Sequence, residues 1–489
     1  MTPPEPECAL PKPKLLFILT DQQRADSMAC YGNDHIDVPN LNRLAEESFV
    51  FENTYVSQPV CSPSRATLLT GTYPHSARVP SCNVPLPTDV PTIAEMVDDD
   101  YRCAWLGKWH LGDEIFPQRG FNEWVGTEDS YRRFYSSDER LSQLSSYHHF
   151  LIDKGLEPDR EILGQRVFSR HFEASLDEDL TKAAFLGNRT AEFLRNAGDD
   201  PFVAFVSYLE PHPPHTGPFN EMYNPATLPV GPSFRQKPEP NASLLNRVMA
   251  SYYMESEEYG HDLRTEEGWR AVRARYWGNV SLVDRSVGKI LDALEESGRA
   301  DDTIVVFTSD HGEMAGDHGI LGKCVMYEES VRVPLLIRAP GLTRDQTTVA
   351  GNFSHIDLLP TILDLLGEAQ DDHLQGESRL SAMTGEMTLE DNDVFIEWNG
   401  NNGHPIPGEA EVNPAMSTPW RTIVSADRWK LNLSNHDQCE LYDLNDDPSE
   451  MVNRYDDPEQ FERVRDLTVR VRNWQMETGD EIPLCDVGR

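Results

Sequence analysis

The chain is poor in lysine. Only nine of its 43 basic residues are Lys, they face 82 Asp and Glu, and the formal net charge is −39. Such a surface repels the phosphates of nucleic acids and the headgroups of anionic membranes, which argues against both as partners. Many carboxylates with few lysines is the composition of proteins that stay hydrated in strong salt, so a salt-adapted (halophilic, acidic-proteome) chain is the expectation. Long hydrophobic runs are also lacking. The N-terminal run LLFILT (15–20) has no basic segment before it and leads directly into polar sequence. It reads as a strand, well short of the roughly 18 apolar residues of a membrane span and unlike a signal peptide. A cytoplasmic location follows as the expectation. Cysteine is sparse, at 8, 30, 61, 82, 103, 324, 439 and 485, with no CxxC pair. That argues against a zinc ribbon or a thioredoxin-type site. Most of these residues are expected as free buried thiols, with Cys61–Cys82 and Cys30–Cys61 the pairings open to a disulfide. Internal repeats and low-complexity linkers are missing as well.

What is present is a series of short apolar runs, each ending in polar sequence. KLLFILT (14–20) ends at Asp21, YRCAWLG (101–107) at Lys108, FVAFVSYL (202–209) at EPHPPH, TIVVFTS (303–309) at Asp310 and VPLLIRA (333–339) at Pro340. Runs apolar on both faces suit a buried parallel sheet. Between them VPNLNRLAEES, TIAEMVDD, LTKAAFLGNRTAEFLRNAG, VSLVDRSVGKILDALEESG and HIDLLPTILDLLG repeat apolar residues every three or four positions and read as helices. The alternation predicts an α/β class, a large doubly wound, mostly parallel sheet domain over residues 12–372. Segments 130–180 and 215–265 lack periodicity and read as insertions near the mouth of the sheet. Beyond them, DVFIEW, WRTIVSAD, WKLNLSN and ELYDLNDDP predict a smaller C-terminal antiparallel α+β unit, residues 373–489, closed by a helix in PEQFERVRDLTVRVRNWQMETG.

The chemistry gathers just past the strand ends. Asp21, Lys108, His110, His212, Asp310 and His311 would share one rim, because the carboxyl ends of strands in an open α/β sheet share one edge. Asp21 and Asp310, with the amide oxygen of Gln22 and the imidazole of His311, make a mostly oxygen shell. That shell suits a hard divalent cation, Ca²⁺ or Mg²⁺, with Mn²⁺ allowed by the histidine. Arg65, Lys108, Lys323, His110 and His212 add fixed cationic donors, and a metal with such donors describes a pocket for a tetrahedral oxyanion ester. His215 reads as a pocket residue or an exposed loop histidine. Asn83, Trp398, Asn399 and His404 are further substrate-contact candidates at the mouth.

CSPSRATLLTG (61–71), GKWHLG (107–112), SDHGEMAGDHG (309–319) with Lys323, FILTDQQR and ELYDLNDDPSE, in that family's set, resemble the formylglycine-dependent sulfatases of the alkaline-phosphatase-like superfamily. The resemblance runs from about residue 13 to about residue 455 in sequence. It implies that a formylglycine-generating enzyme, reading Cys61, Pro63 and Arg65, oxidises Cys61 to Cα-formylglycine. It further implies that one hydroxyl of the hydrated aldehyde, ionised by the metal, attacks the sulfur of a small-molecule or carbohydrate sulfate ester. Loss of the second hydroxyl proton then releases sulfate. By the same resemblance the metal ligands are Asp21, Gln22, residue 61, Asp310 and His311. Arg65 and Lys108 hold the formylglycine, His110 is the base, and His212 and Lys323 sit at the sulfate and leaving oxygen, one of them the acid. Gln22 and His311 replace the Asp and Asn of many sulfatases. That leaves a phosphonate monoester or phosphodiester hydrolase as the alternative activity. The remaining alternative is an oxyanion-binding protein with an unconverted Cys61. If the acidic surface is an adaptation to salt, the thermal midpoint should rise from dilute buffer to molar KCl; a flat or falling midpoint rejects it.

Overall fold

The computed structural model describes residues 12–127, 132, 134–162, 165–168, 175–342, 345–400, 415 and 417–485. Its strands in chain order are β1 (Lys14–Asp21), β2 (Phe49–Tyr55), β3 (Arg102–Gly107), β4 (Glu123–Gly126), β5 (Asp159–Ile162), β6 (Gln165–Phe168), β7 (Phe202–Pro211), β8 (Glu257–Glu258) and β9 (His261–Asp262). They continue as β10 (Thr303–Ser309), β11 (Arg332–Val333), β12 (Leu335–Arg338), β13 (Thr347–Ser354), β14 (Val394–Trp398), β15 (Trp420–Val424), β16 (Trp429–Leu433) and β17 (Glu440–Asp443). Nine of them form one sheet in the order β11-β2-β12-β10-β1-β7-β3-β4, with β13 beside β2, and β14 to β17 form a separate four-stranded antiparallel sheet.

The period of two along β1 explains why this sheet is buried on both faces. Leu16 and Ile18 belong to one apolar layer, with the helices Pro39–Glu46, Lys182–Asn196 and Glu266–Glu296. Leu15, Phe17 and Leu19 belong to the opposite layer, with the helices Cys61–Thr70 and Leu358–Leu366. Each fully buried aliphatic or aromatic side chain contributes about 1.5–3 kcal/mol, so layers of this size fix the sheet as a rigid platform.

The structure revises several sequence expectations. VPLLIRA is in the main sheet but runs antiparallel to β10 and β2. Residues 310–331 contain no crossover helix, only the single turn Glu328–Val331, so the chain re-enters the sheet from the end it left. TIAEMVDD supplies one turn, Ile93–Met96, closed by a Thr92/Glu95 capping box. The helix expected from Val280 starts instead at Glu266, where Thr265 Oγ1 accepts the Gly268 N–H at 3.1 Å. The segment 215–265 holds the helix Leu244–Tyr253 and the β8–β9 hairpin. Strands β2, β4 and β13 were not anticipated. The seven described cysteines are all free thiols, and Cys8 lies outside the described residues. Among the described residues no helix is long and apolar enough to cross a membrane.

The small sheet braces the segment leading into Cys61. Glu397 N donates to Ser57 O at 2.8 Å, Asn399 Nδ2 to Gln58 Oε1 at 2.9 Å, and Glu397 Oε2 lies 2.9 Å from His75 Nδ1. Arg421, fully buried, holds Asp480 through Nε (2.7 Å) and Nη2 (2.6 Å) and the Asn399 side chain at 2.9 Å.

Two histidines outside the rim are kept neutral by burial. His355 Nε2 lies 3.2 Å from Thr308 Oγ1, and burial pushes its value from 6.5 down to about 3. His318, stacked on Tyr327, is pushed to about 4, by burial first. Both values are depressed, so the stability they contribute is complete above pH 6.5 and is lost as pH falls toward the folded values. The urea midpoint should therefore drop between about pH 7 and about pH 4.5, and His355→Gln should make that slope shallower. An unchanged slope would assign the acid sensitivity elsewhere.

Candidate active site

Strands β10, β1, β7 and β3 are adjacent and parallel, so their carboxyl ends line one edge in that order. Asp310 follows β10, Asp21 ends β1, His212 follows β7 and Lys108 follows β3. The turn after β3 requires glycine. Gly107 has φ +118°, and a Cβ there would lie 1.9 Å from Ser207 O. That close approach lets Lys108 N donate to Ser207 O at 2.9 Å and turns the following residues over the edge.

Cys61 opens the helix Cys61–Thr70, all ten of whose residues are buried. Pro63 is tolerated because N–H groups in the first turn have no intrahelical acceptor. Gly71, at φ +63°, closes the helix by donating to Thr67 O at 2.9 Å. The helix N-terminus, where partial positive charge favours an anion, therefore points residue 61 at the rim.

There Cys61 Sγ lies 3.3 Å from His311 Nε2 and 3.8 Å from Asp21 Oδ1. Ligand atoms of Asp21, Cys61, Asp310 and His311 all fall within 4.8 Å of one another. His311 Nδ1 donates to Gly312 O at 3.0 Å, since a carbonyl can only accept, and this turns Nε2 toward the carboxylates, 3.7 Å from Asp21 and 3.5 Å from Asp310, as the nitrogen a cation would take. Gln22, at φ +73°, is held from both ends of its amide. Nε2 donates to Glu313 and Oε1 accepts from Lys323 Nζ at 2.5 Å.

Arg65 is fully buried and forms four hydrogen bonds. They go to Asp310 Oδ2 (2.8 Å), Asp21 Oδ2 (3.1 Å), Ser207 Oγ (2.7 Å) and Lys108 O (3.1 Å). This revises its expected role, because it clamps the two carboxylates rather than reaching into the pocket. Lys108 Nζ donates to Asp21 Oδ2. Burial and the Cys61 charge push Asp21 up, but Lys108, His212 and Arg65 outweigh them and hold it far below the usual carboxylate range. Asp310 is pushed up to about 6 by burial and by Asp21. Burial also pushes the Cys61 thiol up, and Cys82, Lys108, Lys323 and His311 reverse this and bring it well below its ordinary value. A pair of buried, mutually repelling carboxylates beside an imidazole lone pair and an amide oxygen fits a divalent cation.

His110 is 3% exposed and has φ +59°. Its N–H and that of Trp109 both donate to Glu114 at 3.1 Å. Its Nε2 lies 3.0 Å from Asn83 Oδ1, and burial and Lys108 lower its value to about 3. Asn83, expected at the substrate, is thus a positioning residue for His110. His212 Nδ1 donates to Pro213 O at 2.9 Å, and burial and Lys323 lower His212 to about 3. Lys323 is raised: burial alone would lower it, but Cys61 and Asp21 outweigh that.

Other candidates fall elsewhere. Trp398 is fully buried in an apolar cluster with Ile396, Trp420 and Val424, so it is core rather than mouth. Asn399 is tied to Gln58 and Arg421. His404 lies outside the described residues. His215 is neither exposed nor at residue 61; it packs edge-on to Tyr259 and Tyr276, 3.8 Å from Glu313. Sequence reasoning missed Glu313, Glu114 and Ser207. Glu313 stands inside SDHGEMAGDHG, yet nothing in its residue type shows that it will turn toward Gln22.

Candidate cation ligands and cationic donors at the carboxyl edge of a mostly parallel α/β sheet define an oxyanion-binding class of site. The family model described as Sulfatase matches residues 13–368, and that for the N-sulphoglucosamine sulphohydrolase C-terminal region matches residues 316–477. The chain is 31% identical over 453 residues to the uncharacterized sulfatase YidJ of Escherichia coli, covering 90% of this chain and 83% of the relative. It is 28% identical to the choline-sulfatase of Rhizobium meliloti, covering 96% and 88%. The solved phosphonate monoester hydrolase of Silicibacter pomeroyi superposes with TM-score 0.76 at 26% identity, covering 96% of each chain. The chain belongs to the sulfatase family, and it is an enzyme, a hydrolase of that family. If Glu313 fixes the Gln22 amide for a divalent cation, Glu313→Ala should weaken binding of that cation by about 10–100-fold in calorimetry with Ca²⁺, Mg²⁺ and Mn²⁺. Unchanged affinity would leave Glu313 a purely structural residue.

Proposed function

We propose that this chain is a sulfuric ester hydrolase acting through a Cα-formylglycine made from Cys61 and one divalent cation, Ca²⁺ in first place and Mg²⁺ or Mn²⁺ after it. The observation that carries this reading is the position of residue 61. It sits at the N-terminus of a buried helix, against Asp21, Asp310 and His311, within the electrostatic reach of Lys108 and Lys323. Asp21, Gln22 Oε1, Asp310 and His311 Nε2 would hold the cation, which would supply Lewis-acid polarisation there. The hydrated aldehyde supplies two hydroxyls on one carbon, one to attack sulfur and one whose proton is removed as sulfate leaves.

The side chains divide the remaining work. Lys108 and Lys323 place fixed positive charge beside residue 61, where charge develops on the sulfuryl oxygens. His110, neutral and held by Asn83, is the base for the second hydroxyl. His212 uses its Nδ1 proton on Pro213 O, so its neutral form has only a lone pair at Nε2. That assigns the acid at the leaving oxygen to Lys323. The substrate is a small-molecule or carbohydrate sulfate ester, and maturation requires a formylglycine-generating enzyme. A phosphonate monoester hydrolase is the second reading, favoured by neutral Gln22 and by the superposition on phosphonate monoester hydrolases.

The peptide containing residue 61, from protein made in its own host, should show the mass loss that replaces CH₂SH by CHO. Cys61→Ala should abolish aryl sulfate turnover, and His110→Ala should lower kcat by about 10²–10⁴-fold. An unmodified peptide, or activity surviving Cys61→Ala, overturns the formylglycine reading. Aryl phosphonate turned over faster than aryl sulfate selects the second.

A further inference from the structure

Cys61 belongs to a second cluster, distinct from the oxygen-rich one. Its Sγ, the Sγ of Cys82 and a ring nitrogen of His110 lie within 4.8 Å of one another. All three residues are at least 96% buried, and both cysteines are free thiols. Cys82 has no part in the proposed hydrolysis. We propose that, while residue 61 is still cysteine, Cys61, Cys82 and His110 form a binding site for one soft divalent cation, Zn²⁺, and that conversion of Cys61 dismantles it.

The donor set is the reason. Two thiolates and an imidazole, with a fourth position open to water, are a tetrahedral zinc set. With Zn–S near 2.3 Å and Zn–N near 2.0–2.1 Å, donors around one ion stand about 4 Å or less apart, so small side-chain shifts suffice. Asn83 Oδ1, 3.0 Å from His110 Nε2, takes the Nε2–H and leaves the lone pair on Nδ1, as an outer-shell carbonyl does for a metal-bound histidine. The charged groups facing Cys61 are Lys108 and Lys323 with His311 and Asp21. Two thiolates with Zn²⁺ are neutral together, so the completed site carries no net charge beside the lysines. Asp21, Asp310 and Gln22 offer oxygen, which suits a hard cation, whereas the sulfurs select the soft one. Replacing CH₂SH by an aldehyde removes one thiolate and leaves Cys82 and His110, too few to hold zinc. Residue 61 thus serves a soft site before conversion and a hard site after it. The zinc site goes beyond the hydrolase reading and does not depend on it, because it concerns the unconverted chain; only its loss on conversion rests on that reading.

The test uses the full chain produced without a formylglycine-generating enzyme, its Cys61 verified by peptide mass and kept anaerobic. Titration with Co²⁺ should give one ion per chain, a near-ultraviolet sulfur-to-cobalt charge-transfer band and tetrahedral visible absorption, all displaced by Zn²⁺. Cys82→Ala should weaken Zn²⁺ binding by more than about 100-fold, beyond what loss of a supporting contact costs. Converted protein should show no thiolate band. No band in the unconverted protein overturns the inference, as does Cys82→Ala binding Zn²⁺ like the parent, which would place the ion on Asp21, Asp310 and His311. Should Cys82→Ala not fold, Cys61→Ala decides: it must lose the two-thiolate band, and a band that survives there belongs to Cys439 and Cys485, 3.4 Å apart, and overturns the inference. An unmodified peptide from the native host would overturn the formylglycine reading and leave this one standing.

Discussion

The guanidinium of Arg65 is the contact on which the rest of the site depends. It comes from the helix that carries Cys61, and it ties Asp21 at the end of β1 to Asp310 at the end of β10. Two carboxylates this close, both without exposure to water, repel each other strongly in a medium of low effective dielectric. Arginine offsets this in a way lysine cannot, because its planar fork reaches both acids and still has donors for Ser207 and the Lys108 carbonyl. One side chain therefore sets the distance between two strand ends, the height of the Cys61 helix and the turn after β3. Its demand for a fully buried position with acceptors on every nitrogen explains why it stands four residues into that helix, one turn below Cys61.

The C-terminal sheet extends the same logic outward. Glu397 on β14 meets Ser57 through its backbone and His75 through its carboxylate, on either side of the helix that begins at Cys61. Lys430 on β16 is buried between Glu328 and Glu450, at 2.8 Å from each, and Glu328 sits at the end of the loop that begins with Asp310. The second sheet thus grips both loops that bring ligands to the rim. Buried charges of this kind add little net stability compared with apolar packing, but breaking them is costly, so they favour one docking geometry over its neighbours.

Much of this was legible in the sequence because it rests on local rules. A continuous apolar run followed by an acid or a histidine is visible in a string of letters, and the carboxyl-end rule turns it into a shared edge; Asp21, Lys108, His212 and Asp310 were placed that way. What was not legible depends on pairing. The direction of VPLLIRA follows from the missing crossover before it, not from its own residues. Trp398 resembles a mouth aromatic until β15 supplies Trp420 opposite it. Arg65, read as a pocket cation, meets its four partners only after the ends of four strands and a helix have converged. Glu313 and Asn83 act on other side chains, and a residue that positions another has no signature of its own.

Charge at the rim bears on the substrate of the proposed reaction. Arg65 and Lys108 hold Asp21 and Asp310, and Lys323 and Glu313 hold the two ends of the Gln22 amide, so within this bonded set three cations meet three carboxylates. A divalent cation added to that neutral set leaves room for two negative charges. On the proposed reading one belongs to the ionised nucleophile, and one remains for the substrate. A sulfate monoester carries a single negative charge, as does a phosphonate monoester, whereas a phosphate monoester near neutral pH approaches two. The neutral amide of Gln22, held in place by Glu313 and Lys323, keeps the count from falling by one. On that proposed reading the count favours a singly charged ester over a phosphate monoester, and the choice between sulfuryl and phosphonyl centres falls to the shape of the pocket walls.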